Sequence, residues 1–148
     1  MTQSPARLIF PDIDFDAIYE SGILKGIKKF RGDLRDYSPI IESFGDVLVQ
    51  VDEKDYSGDS FVLLRKDDQY GFLCFGWGSC SGCDALQACE TVEDLDELID
   101  EMRGDIKWFD SLAEAKAYIA DDPLRRGSYY YHVEEWDEFK TKVMEVAE

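Results

Sequence analysis

The chain has 148 residues, of which 45% are hydrophobic and 14% aromatic, enough to bury a core and too many for a disordered polymer. Sixteen basic residues against thirty-three acidic ones leave a formal net charge of -17. That sign argues against direct binding to nucleic acid or an anionic membrane, and it favours cationic partners, including the basic nucleic-acid grooves of other proteins.

The opening stretch, MTQSPARLIFPDIDFD, has neither a basic n-region nor a long apolar h-region, so no signal peptide is expected. No run approaches bilayer-spanning length. The expected compartment is the cytoplasm, where thiols stay reduced, and four cysteines are too sparse for a secreted disulfide framework. A first helix is predicted from Asp14, with Phe15, Ile18, Tyr19, Ile23 and Ile27 at near-helical spacing and Gly32 as its stop. A short second helix opens near Ser38-Pro39 and ends at Gly45.

Three strands follow. DVLVQVD alternates, placing Val47, Val49 and Val51 on one face, and DSFVLLRK and YGFLCFGWG are apolar runs rich in β-branched or aromatic residues. The polar turns between them are short, which predicts an antiparallel three-stranded meander. From Thr91 to Arg103 the periodicity predicts the clearest helix. Thr91 and Asp94 resemble a capping box, Val92, Leu95, Leu98, Ile99 and Met102 share a face, and Gly104 stops it. DIKWFD is a short strand, and Ser111 with Glu114 opens a helix whose stripe is Leu112, Ala115, Tyr118 and Ile119. Pro123 and Gly127 punctuate a loop, SYYYHV is a further short strand, and Trp136, Phe139, Lys140 and Val143 line a closing helix. With no repeat and no linker, residues 1–148 are expected to form a single α+β domain, about five helices packed on a largely antiparallel sheet.

The segment GWGSCSGCDALQAC holds three of the four cysteines, in the spacing Cys74-x5-Cys80-x2-Cys83-x5-Cys89. If Asp84 to Cys89 is helical, Cys83 and Cys89 lie roughly 120° apart around the axis and about 9 Å along it, too far to share one ion. Cys80 and Cys83 are then the only pair placed to act together, as zinc ligands joined by residues such as His132 or Asp84, or as a redox dithiol. An aromatic strand, a Cys-x-x-Cys and a helix, as in FLCFGWGSCSGCDAL, resemble the active-site segment of thioredoxin-like proteins. A helix N-terminus would lower the first thiol's pKa, but the meander lacks the βαβ start of that family, and Asp84 disfavours a neighbouring thiolate. Gly76, Gly78 and Gly82 fit neither a Rossmann fingerprint nor a P-loop. The remaining reading is a folding corner with turn glycines and buried apolar thiols. No charged residue occurs from Tyr70 to Cys83, so the stretch is either buried or faces a partner, with Trp77 as the candidate contact.

YGFLCFGWGSCSGCDALQAC, together with DIKWFDSLAEAKAYI, resembles a group of small uncharacterised proteins carried by bacteria and their phages. The resemblance covers Tyr70 to Ile119 and implies a shared fold and a phage or mobile-element setting. It brings no activity and no site residues.

On the helix after Thr91, Glu93, Glu97, Asp100 and Glu101 fall opposite the apolar stripe, flanked by Asp94 and Asp96. Turns about 5.4 Å apart approach the spacing of phosphates along a strand, so this face would imitate nucleic acid toward a basic channel. The plain alternative is a solvated face. Glu134, Glu135, Asp137 and Glu138 make a second acidic patch, and Lys25, Lys28, Lys29, Arg31 and Arg35 a basic cluster that would pair with acids within the fold or across a homodimer. His132, the lone histidine, has no triad around it, and no metalloenzyme or kinase motif occurs. The sequence therefore predicts a non-enzymatic binding protein without a cofactor. It would be an inhibitor masking a basic surface of a host protein, with a dithiol oxidoreductase or zinc protein using Cys80 and Cys83 as the alternative.

Overall fold

The computed structural model describes residues 3–11, 15, 37–53, 57–78, 85–89, 91–123 and 134–147. The expected helix from Asp14 (apart from Phe15, which is helical and buried), the basic cluster from Lys25 to Arg35, Cys80, Cys83, and the SYYYHV strand with His132 lie outside them. The described elements are α1 (Pro5–Ile9), α2 (Ser38–Phe44), β1 (Asp46–Asp52), β2 (Ser57–Lys66), β3 (Gln69–Gly78), α3 (Ala85–Ala88), α4 (Val92–Asp105), β4 (Lys107–Phe109), α5 (Leu112–Ala120) and α6 (Glu134–Met144). The class is α+β, with a four-stranded antiparallel sheet in the order β1-β2-β3-β4. Among the described residues no helix is long and apolar enough to cross a membrane.

Two compact units emerge, one from Met1–Phe44 and Trp77–Gly104, the other from Gly45–Gly76 and Asp105–Glu148. Each draws on two stretches of sequence, so no single cut in the chain separates them.

In the sheet-bearing unit the predicted meander is present. Asp67 and Asp68 turn β2 into β3, with Asp67 at φ 56°, a left-handed conformation that aspartate tolerates better than bulkier residues. Between Val47 and Val49 the register slips: Val47 faces Leu64 and Val49 faces Leu63, leaving Leu48 as the extra residue of a β-bulge. Val49 and Val51 are buried as the alternation predicts, but Val47, beyond the bulge, is 37% exposed and does not continue their face. β2 buries Phe61, Val62, Leu63 and Leu64 in succession, so both its faces are covered, and this explains its unbroken apolar run. β3 and β4 pair with Gly71 opposite Trp108. A Cβ at Gly71 would come within 2.9 Å of the Trp108 ring and 2.8 Å of Ile106, so glycine is required there by close approach.

Helix α6 lies on β1 and β2, and α5 on α6 and β4. Their buried stripes, Trp136, Phe139 and Val143 on α6 and Leu112, Ala115 and Ile119 on α5, close over Val49, Val51, Phe61, Leu63, Tyr70 and Phe72. Trp136 stacks on Phe139 at 5.6 Å and meets Phe61 edge-on at 5.2 Å, geometry that adds to simple area burial. The capping signal of α5 is realised: Ser111 Oγ accepts from the Glu114 amide at 3.1 Å.

In the other unit, Ser4 caps α1 by accepting from the Arg7 amide, with Pro5 at the first helical position. The predicted short helix is α2, which buries Ile40, Ile41 and Phe44. Tyr37 Oη accepts from the Leu86 amide at 3.2 Å and so anchors α3.

A candidate acidic interface

Helix α4 begins with the reciprocal cap read from the sequence. Thr91 Oγ1 accepts from the Asp94 amide at 3.1 Å, and the Asp94 carboxylate accepts from the Thr91 amide at 3.3 Å. Val92, Leu95, Ile99 and Met102 are buried and Leu98 half-buried, which fixes the rotation of the helix. The helix does not stop at Gly104 but runs to Asp105. Gly104 shows no left-handed φ, and a Cβ there would meet nothing within 4 Å.

That rotation turns Glu93, Glu97, Asp100 and Glu101 to solvent, all four exposed. The ladder from Glu93 to Glu101 spans about 12 Å at 1.5 Å per residue. Arg103 reaches Asp100 at 3.0 Å, but both side chains are more than half exposed, so the pair contributes about 0–1 kcal/mol. The Arg103 guanidinium also lies 5.6 Å from the Phe44 ring centroid. Glu97 and Glu101 make no hydrogen bond or ion pair among the described residues.

Asp96 is different. Its carboxylate accepts from Ser4 Oγ at 2.7 Å and from the Ala6 amide at 2.9 Å, joining α4 to the start of α1. Asp96, like the capping Asp94, is thus engaged within the fold. No sequence signal pointed to the role of Asp96, because the partners lie ninety or more positions upstream.

Trp77, the proposed aromatic contact, is half-buried at the end of β3. Its Nε1–H is fully shielded and lacks an acceptor among the described residues, a cost of about 1–3 kcal/mol. Trp77 therefore offers an apolar edge rather than a hydrogen-bond donor.

Of the cysteines, Cys80 and Cys83 lie outside the described residues. The Cys74 thiol is pushed up to about 12 by burial first, then by the carboxylates of Asp59 and Glu53, so at neutral pH it is a protonated thiol and a poor nucleophile. Burial alone holds the Asp59 carboxyl above the usual aspartate range. Cys89 is buried, with Sγ 3.4 Å from the Ala85 carbonyl oxygen, and packs as a small apolar group. Among the described residues no cluster of three or more His, Cys, Asp or Glu is placed to hold a metal.

The second acidic patch sits on the first turns of α6, where Glu134, Asp137 and Glu138 are exposed and Glu135 half-buried. Glu138 pairs with Lys142 at 3.6 Å. Sequence reading missed two residues that organise this helix. Asp122, at φ 51°, accepts from Trp136 Nε1 at 2.9 Å and from Lys140 Nζ at 2.7 Å. Lys116 donates to the carbonyls of Met144 and Val146 and closes the C-terminal end of α6.

No family model matches the chain, and neither a curated protein nor a solved structure matches it.

Proposed function

We propose that this is a non-enzymatic binding protein that masks a basic surface of a host protein with the outward face of α4, in place of a nucleic-acid strand. The residues assigned to the contact are Glu93, Glu97, Asp100 and Glu101, with the apolar edge of Trp77 beside a partner's apolar or aromatic group. The setting assigned is a phage or mobile element, in which such masking inhibits a host enzyme.

One observation carries this reading. Acids stabilise a helix near its N-terminus and destabilise it near its C-terminus, where the macrodipole is negative. In α4 they continue through Asp100, Glu101 and Asp105, against Arg103 as the single base of the helix. A solvated face needs no such placement, whereas a ladder of charges matched to a basic channel does.

The test uses immobilised protein against extract of the host cell, beside the variant E93Q/E97Q/D100N/E101Q. The expected result is a partner retained by the native chain at low salt, released as salt rises, and absent from the variant. Direct titration of that partner should show affinity falling with ionic strength, and nucleic acid should compete. A partner that binds the variant equally, or an affinity indifferent to salt, overturns the proposal.

A further inference from the structure

We draw no further inference here: the strongest candidate, the open groove between β1 and α6 lined by Leu48, Val49, Gln50, Lys142, Glu145 and Val146, carries none because nothing in the structure shows what covers it.

Discussion

Helices α4 and α6 are both acidic and both amphipathic, yet they use their charges in opposite ways. In α6 the acids Glu134, Glu135 and Asp137 stand in the first turn and Lys142 in the last, the order that the macrodipole favours. Lys116 completes the C-terminal end, Glu138 pairs with Lys142, and Lys140 is tied to Asp122. The charges of α6 thus serve the fold. In α4 Asp94 caps the helix, Asp96 holds α1 and Asp100 pairs with Arg103, while Glu97 and Glu101 make no ion pair or hydrogen bond among the described residues, and Glu101 stands where the dipole no longer helps. Two acidic patches of similar composition therefore differ in placement, and Glu97 and Glu101 are the acids of α4 on which the proposed contact can be tested apart from the fold.

The inward faces should give the largest effects. Trp136→Ala removes the ring that bridges Phe61, Phe72 and Phe139, and it leaves Asp122 without its indole donor. A loss of about 3–5 kcal/mol is expected in urea unfolding. Ile99→Ala in α4 should cost about 2–5 kcal/mol, since that side chain is fully buried. A loss for Trp136→Ala below that for Ile99→Ala would mean that the aromatic cluster does not distinguish the two helices.

Next comes Asp122→Ala. It orphans the Trp136 Nε1–H and the Lys140 ammonium together, and about 1–3 kcal/mol should be lost, read again as a shift in the urea midpoint. Because Lys140 keeps about a quarter of its side chain in water, most of the loss should persist in Lys140→Met/Asp122→Ala. An effect near zero for Asp122→Ala would show that the charges of α6 are no more bound into the fold than those of α4.

Thr91→Ala tests the one end of α4 where charge and fold agree. It removes the hydroxyl that accepts from the Asp94 amide, and about 1 kcal/mol should be lost. Asp94→Asn, which keeps an acceptor for the Thr91 amide, should cost less.

The sequence made much of this comparison legible. Thr91 with Asp94 and Ser111 with Glu114 announced two helix starts, because a cap is a local pattern of three or four residues. The meander was readable for the same reason: its turns are short and its strands apolar. What escaped depends on residues distant in sequence or on the local path of the backbone. Nothing in DVLVQVD announces the bulge at Leu48, which depends on pairing with β2. Gly71 resembles a loosening element but is a tight fit against Trp108, a partner thirty-seven positions along the chain. Cys74 belonged to an apparently symmetric set of four thiols, yet the carboxylates of Asp59 and Glu53 on the neighbouring hairpin help to keep it protonated. The sequence placed Glu93, Glu97, Asp100 and Glu101 opposite the apolar stripe, and all four are exposed. It could not tell that Asp96 is engaged by Ser4 and Ala6.

The smallest expected change in stability decides most about function. Glu101→Gln and Glu97→Gln each remove a charge that makes no ion pair or hydrogen bond among the described residues, and Glu101 stands in the C-terminal half of α4. With the adverse dipole term and mutual repulsion relieved, Glu101→Gln should raise stability by a few tenths of a kcal/mol at low salt, and the gain should fade as salt is added. Glu97→Gln, nearer the middle of the helix, should gain less. The same substitutions should weaken capture of the partner, so that stability and affinity move in opposite directions. A face selected only for solvation would show the gain without the loss. A face whose acids support the helix would lose stability instead. Only an acidic ladder kept for contact predicts a more stable protein that binds less well, and the pair of measurements on Glu101→Gln separates the three.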